Sequence, residues 1–338
     1  MTAYERFINR LHGQTVDRPP NFDIMMTFAA HFIGQPLSKY YLDHQVLVNA
    51  NLAVYEAFHL DIVQVISDPY REASDLGVSI EFPPDGLPVA RVPLIAEPTD
   101  LKRLKPVKPE QGQRMSDRLQ AITLLKQKVG GEVPILGWVE GALAAAATFR
   151  GVHHLLMDMI DRPEWVHELL EILVQVEIEF AKAQIEAGAD IIGLGDAIAS
   201  QISPSMYETF AWPYEKQIFQ AVKAMGAIAR LHICGNTSAI VSQMAATGAD
   251  IVDLDWMVDF GKAAAICNDD PVLCGNFDPV TIMLQGIPPQ VRAATLTCLR
   301  TGGKRCISMA GCEIPDGTPP ENLLAQANAL KEFGATVV

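Results

Sequence analysis

No cysteine occurs before position 234 of this 338-residue chain, and no apolar run approaches the length needed to cross a bilayer. The amino terminus, Met1-Thr2-Ala3-Tyr4-Glu5-Arg6, also lacks the basic-then-apolar pattern of a secretory signal, so a soluble cytoplasmic protein is expected. Positive charge is scarce: 26 Lys and Arg stand against 40 Asp and Glu, a net charge of −14. That balance argues against a nucleic-acid or anionic-membrane surface. Neither a Gly-x-Gly-x-x-Gly turn nor a Walker loop is present to support a nucleotide site. What is abundant is apolar residues, 49% of the chain, enough to fill a sizeable core and to exclude disorder.

The six cysteines (Cys234, Cys267, Cys274, Cys298, Cys306 and Cys312) lack the regular spacing of a disulfide framework. Expected to be reduced, they raise the question of metal binding or catalysis. The stretch Arg230-Leu231-His232-Ile233-Cys234-Gly235-Asn236 sharpens it. Side chains alternate faces along a strand, so His232 and Cys234 would point one way and Leu231 and Ile233 the other. An imidazole beside a thiolate suits Zn²⁺, although a lone His-x-Cys is more often a buried thiol next to a hydrogen-bonded histidine.

Taken in order, Thr2 and Glu5 form a capping box that opens a helix closing at Gly13. Strand candidates follow at 21–26 and 61–66, with helical material from about Ser38 to Phe58 between them. Residues 78–82 and 87–92, around Pro83-Pro84-Asp85-Gly86, read as a β-hairpin inserted at a barrel mouth. Further strands are expected at 133–139, 189–194, 227–234, 250–254, 272–275 and 305–310. Helices alternate with them, among them one capped by Asp161 with Pro163 in its first turn, one capped by Ser203, and a last one announced by a Thr318–Glu321 capping box. Eight β/α units in this length predict a single (β/α)₈ TIM-barrel domain spanning 1–338, with an N-terminal helix and a hairpin insertion. A doubly wound sheet is the alternative.

On a barrel, catalytic residues come from the carboxyl ends of several strands. Those ends carry Asp68, Glu140, Asp196, His232 with Cys234, Asp255, Asn276 with Asp278, and Cys312. The plain reading of each is an ordinary turn residue, since such turns are rich in Asp, Asn and Gly. Cys312 fits that reading least, because a thiol at an accessible turn has little packing role.

The His232-Ile233-Cys234-Gly235-Asn236-Thr237, Gly275-Asn276-Phe277-Asp278-Pro279 and Ala310-Gly311-Cys312-Glu313-Ile314-Pro315 runs resemble the uroporphyrinogen decarboxylase superfamily, and within it the zinc methyltransferase branch. The similarity runs from Asp17-Arg18-Pro19 onward. It implies that His232, Cys234 and Cys312 bind zinc and that an acidic residue fills the fourth position; Asp255 is the match, with Asp253 on the same strand face. It also implies a corrinoid, carried by a partner protein or used as cosubstrate, and a small-molecule methyl donor or thiol acceptor. Decarboxylases of the superfamily carry an Arg-rich first strand that grips tetrapyrrole carboxylates, whereas here residues 21–28 contain no arginine and the next one is Arg71. Decarboxylation is therefore the alternative function, and a non-catalytic subunit with a structural zinc is a second one.

Two thiolates, an imidazole and a carboxylate around Zn²⁺ would leave a site suited to activating a thiolate rather than to strong Lewis acidity. Glu140 and Asp196 are the candidates for orienting the substrate, against a bland reading as loop hydrogen-bonding groups. Arg230 shares the face of His232 and is either an interior ion-pair partner or a solvent-facing residue. His153-His154 reads as surface, and Cys267, Cys274, Cys298 and Cys306 as packing thiols.

Overall fold

The computed structural model describes residues 1–337. Its strands are β1 (Val63–Gln64), β2 (Ile80–Glu81), β3 (Val89–Ala90), β4 (Ile135–Glu140), β5 (Ile191–Gly195), β6 (Ile228–Ile233), β7 (Ile251–Leu254), β8 (Val272–Phe277) and β9 (Ile307–Ala310). β2 and β3 pair antiparallel as the expected hairpin, and the other seven form one parallel sheet in the order β1-β4-β5-β6-β7-β8-β9. Apart from Ile228 at the start of β6, the parallel strands are buried along their whole length, as a sheet covered on both faces requires.

The barrel closes differently from the expectation of eight ladder strands. Residues 21–26 form only a single parallel bridge, Asn21 to Ser308. On one side the Phe22 N–H donates to Ser308 O (2.8 Å) and the Ser308 N–H to Pro20 O (2.9 Å); on the other the Asp61 N–H donates to Asn21 O (2.9 Å). Pro19 and Pro20 have no N–H to extend the pairing, and side chains replace the ladder beyond them. Asp23 Oδ1 accepts the Ala310 N–H at 2.8 Å, and the Gln64 side-chain amide donates to Asp23 O at 3.0 Å. The first stave of the α/β TIM barrel is thus an extended segment stitched to β9 and β1.

Two layers of apolar packing follow from strand alternation. Phe22, Ile24, Leu136, Trp138, Ile191, Ile251, Ile307 and Met309 fill the barrel interior, while Leu231, Ile233, Val252 and Leu254 face the helices outside. On β6 this leaves Arg230 and His232 pointing inward.

The Thr2–Glu5 capping box forms as expected, with Glu5 N–H to Thr2 Oγ1 at 3.1 Å and the Thr2 N–H to Glu5 Oε2 at 2.8 Å. Ser203 caps the helix Pro204–Phe210, and Gly188, at φ +118°, ends the long helix Pro163–Ala187. Three expectations are corrected. Asp161 is the last residue of the helix Val152–Asp161, so Arg162 rather than Asp161 precedes Pro163, without a side-chain cap. The final helix Pro320–Val337 begins one residue later than a Thr318 cap requires, with Pro319 preceding it, and the Thr318 hydroxyl donates to Pro315 O (2.8 Å). The helical stretch from Ser38 is two helices, Leu37–Leu42 and His44–Phe58, separated by an extended Asp43 whose side chain caps the second. A further short helix, Thr27–Phe32, leads into them.

The hairpin turn reaches the carboxyl end of the barrel. His31 Nδ1 contacts Asp316, in the loop after β9, at 2.9 Å, and its Nε2 contacts Asp85 of the hairpin turn at 3.5 Å. No helix among the described residues is long and apolar enough to cross a membrane.

Candidate metal centre

β6 delivers its two ligand-type side chains as alternation dictates. His232 is the strand's fifth residue, and Cys234 follows its end on the same face, before Gly235 turns the chain at φ +91°. The loop after β9 brings Cys312 to them. His232 Nε2 lies 3.0 Å from Cys234 Sγ and 3.8 Å from Cys312 Sγ, and the two sulfurs are 3.5 Å apart. These three donor atoms converge within 4.8 Å from positions up to 80 residues apart in sequence. One nitrogen and two sulfurs, with the remaining direction open to a cavity, form a donor set that fits Zn²⁺.

The imidazole is held from behind. Asp253 on β7, paired in register with His232, places Oδ2 3.1 Å from His232 Nδ1, and Arg230 Nε lies 2.9 Å from both carboxylate oxygens. A carboxylate on Nδ1 fixes the tautomer that leaves the Nε2 lone pair facing the sulfurs. Arg230 and Asp253 are both fully buried, so Arg230 is an interior ion-pair partner and Asp253 an orienting group. Burial opposes a charge on Asp253, but Arg230 and His232 outweigh it and hold its carboxyl below the usual range. Burial likewise opposes charging His232, and the negative charge at Cys234 with the Asp253 contact raises it well above its ordinary value. Contact with Cys234, then His232, draws the Cys312 thiol down to about 4, while Cys312 and burial push Cys234 up.

Asp255 stands beside the cluster rather than in it. Its Oδ2 accepts the Gly235 N–H and its Oδ1 the Trp256 N–H, each at 2.6 Å, so it shapes the turns that carry Cys234 and the loop after β7. Asn276 supports the same loop, donating to Asp255 O (3.2 Å) and Val258 O (2.7 Å), and Asp278 caps the turn at Pro279. Both therefore follow the plain turn-residue reading.

A cavity of about 180 Å³ opens over the cluster, walled by Ile24, Met26, Ile66 and Trp138 and by the polar residues Arg71, Glu140 and Glu313. Trp138 takes its position because β5 presents no side chain there: a Cβ on Gly193 would stand 2.3 Å from the indole and one on Gly195 3.0 Å from it. The indole then faces His232, with ring centroids 6.1 Å apart. Glu140, at the end of β4, lines this cavity as expected, and its Oε1 accepts from Arg71 Nη2 at 2.7 Å. Burial pushes Glu140 up to about 7 in spite of the Arg71 charge. A larger depression of about 520 Å³, beside Arg10, Gly13 and Leu299, contains none of the candidate site residues.

Asp196 does not reach the cavity. It is fully buried, pressed on Gly141, whose added Cβ would lie 2.3 Å from Oδ2, and turned toward the first turn of the helix Ala142–Arg150. Burial, then the nearby Glu215, raises its carboxyl well above the ordinary range. Chain order put it at a strand end, but the absence of a side chain at Gly141 lets it fold back under β4.

Several groups escaped the sequence reading. Arg71 bridges Glu140 and Glu72, the latter at 3.5 Å, and Arg114 Nη2 grips Asp68 at 2.6 Å. Glu313 accepts from the Thr27 N–H and hydroxyl, each at 2.8 Å. The signal for Glu313 was its place next to Cys312; Arg71 and Arg114 had none, because their partners are non-local. The other four cysteines are buried and free, and His153 and His154 lie exposed, as expected.

Comparison with known proteins agrees with the fold. Methylcobamide:CoM methyltransferase MtbA of Methanosarcina acetivorans is 30% identical over 342 residues, covering 98% of this chain and 99% of that protein. The corresponding protein of Methanosarcina mazei is 29% identical over the same length. A uroporphyrinogen decarboxylase from a Synechococcus is also 30% identical, over 351 residues and 96% of both chains. The solved structure of a methyltransferase from Methanosarcina mazei superposes with a TM-score of 0.90 at 25% identity, covering 98% of this chain and 99% of that one. The uroporphyrinogen decarboxylase (URO-D) family model matches residues 2–333, and the chain belongs to that family.

Proposed function

We propose that this protein is a zinc-dependent methyltransferase that moves a methyl group between a corrinoid, free or carried by a partner protein, and a small-molecule thiol, methyl ether or methyl amine. The observation that carries the reading is the convergence of His232 Nε2, Cys234 Sγ and Cys312 Sγ at one side of a cavity at the carboxyl end of the barrel. Overall identity does not choose between methyltransferase and decarboxylase relatives, since both reach 30%. The donor set does.

His232, Cys234 and Cys312 would hold the zinc, which when bound lowers the pKa of a substrate thiol and keeps it nucleophilic. The protein's own part is to orient and to exclude water. Asp253 and Arg230 fix the imidazole, Trp138 and Met26 give the reacting group an apolar wall, and Glu140 offers a carboxyl near neutrality to hold or move a proton on the substrate. Two thiolates and an imidazole leave an exchangeable position, as a reactive site needs and a closed structural site does not. The turn of Asp255 onto Gly235 and Trp256 supports the same view. Tetrapyrrole decarboxylation is disfavoured because Arg71, the sole Lys or Arg among the described cavity residues, is already paired with Glu140.

Elemental analysis of the wild type and of Cys312→Ser, paired with methyl-transfer assays from methylcobalamin or to cob(I)alamin against thiols, methyl ethers and amines, tests the proposal. One zinc per chain, lost in the variant, together with methyl transfer is the expected result. Wild type that carries no zinc after careful preparation would sink it.

A further inference from the structure

Glu140, Gly195 and His232 are partners across three adjacent strands, Glu140 with Gly195 and Gly195 with His232. The middle residue has no side chain, so the row leaves a gap between a carboxyl group and the His/Cys cluster, with the Trp138 indole lying over Gly193 and Gly195 as one wall. A small molecule reaching the cluster through this gap has an apolar wall on one side and Glu140 ahead of it.

The charges around the gap are one-sided. Arg71 is the sole Lys or Arg among the described residues that line it, and it is 1% exposed. Its Nη2 sits on Glu140 Oε1 at 2.7 Å with Glu72 at 3.5 Å, and its Nη1 donates to Asp68 O. Both terminal nitrogens are engaged, and the Nε–H, which has no partner among the described residues, is buried rather than presented to the cavity. Asp68 is matched by Arg114 at 2.6 Å, but Glu313 has no ion-pair partner among the described residues. Glu140 accepts at Oε1, and among the described residues no hydrogen bond ends on its Oε2. The start of the helix Ala142–Arg150, just beyond Glu140, is covered by the Asp196 carboxyl packed on Gly141, and that of Thr27–Phe32 by Glu313, which accepts the Thr27 N–H.

We infer that the small molecule accepted beside His232, Cys234 and Cys312 carries an amino or hydroxyl group, directed to Glu140, and no anionic group. This rests on reading the cavity as the small-molecule site of the proposed methyl transfer. A protonated amine or a hydroxyl can donate to Glu140 Oε2, whereas a sulfonate or carboxylate would be desolvated against Glu140 and Glu313 with no cation to meet it. Arg71 cannot turn to help without leaving Glu140 buried and unpaired.

The test is calorimetric binding of three S-methylated probes of equal length to the full-length, zinc-loaded protein at pH 8: 2-(methylthio)ethylamine, 2-(methylthio)ethanol and 2-(methylthio)ethanesulfonate. The sulfonate is expected to bind at least about tenfold more weakly than either of the others. Glu140→Gln should remove most of the amine's advantage over the alcohol. Glu313→Gln, which leaves the Arg71 pair untouched, should narrow the gap to the sulfonate even if Glu140→Gln misfolds. A sulfonate that binds as tightly as the amine, or failure of all three to bind, overturns the inference. Parallel methyl-transfer assays separate the two readings. The expected binding order without any methyl transfer removes the methyltransferase and leaves the inference standing, while methyl transfer that prefers the anionic thiol does the reverse.

Discussion

Asp253 Oδ2 lies 3.1 Å from His232 Nδ1, on the opposite side of the imidazole from Cys234, whose sulfur is 3.0 Å from Nε2. A residue that touches neither thiol thus sets which nitrogen faces them. Asp253→Asn keeps the shape but removes the charge that Arg230 and His232 share. Metal affinity is expected to fall by roughly 10- to 100-fold. Stability should drop by about 3–5 kcal/mol, because Arg230 is left buried without its counter-ion. A chelator competition titration and urea melts measure the two effects separately, and unchanged zinc affinity would show that Asp253 does not tune the site.

Asp255 and Cys234 should behave differently although both flank the same turn. Asp255→Asn loses charge from hydrogen bonds to the Gly235 and Trp256 N–H groups, so a loss of about 1–3 kcal/mol is expected with zinc retained. Cys234→Ser should strip the metal. Zinc content after gel filtration distinguishes them; loss of zinc from Asp255→Asn would make that carboxylate a ligand.

Gly193→Ala tests the wall of the cavity. The backbone there is compatible with alanine, but the new methyl would stand 2.3 Å from the Trp138 indole and must push it toward His232. Overpacking of this kind costs about 1–3 kcal/mol. A shift in tryptophan emission with reduced methyl transfer is expected, and an unchanged spectrum with full activity would show that the indole's position is not critical.

Glu215 gives the alkaline limb of stability. Fully buried, with the Tyr207 hydroxyl donating to it at 2.5 Å, it is raised by burial to about 8 from 4.5. Its folded form therefore keeps a proton that the unfolded chain releases near pH 4.5, so the stabilisation is complete below that pH and is lost as pH rises through 8. Glu215→Gln, which cannot ionise, should flatten the decline between pH 5 and 9 in urea melts. An equally steep decline in the variant would assign the limb to other groups, with Asp196 first among them.

Local rules made much of this protein legible from its sequence. Alternation along Arg230-Leu231-His232-Ile233-Cys234 fixes which side chains share a face, and both inward residues and the outward pair fall where period two requires. Thr2 with Glu5, Ser203 with Pro204 and Gly188 likewise act within one helical turn, so short-range chemistry decides them. Cys312 was visible as a thiol at an accessible turn, and the β/α rhythm was enough to imply the barrel.

Only the tertiary structure decided which carboxylates face the cavity. Asp196 and Glu140 both end strands, yet the bare backbone at Gly141 lets one fold away while Arg71, 69 residues from Glu140 in sequence, holds the other in place. The closing stave is a similar case. Residues 21–26 have strand composition, but two prolines and the side chains of Asp23 and Gln64 replace the ladder with other hydrogen bonds. Spacing fixes the direction of a side chain along its own element; which charge it meets across the barrel depends on partners far away in sequence, and that was settled by packing.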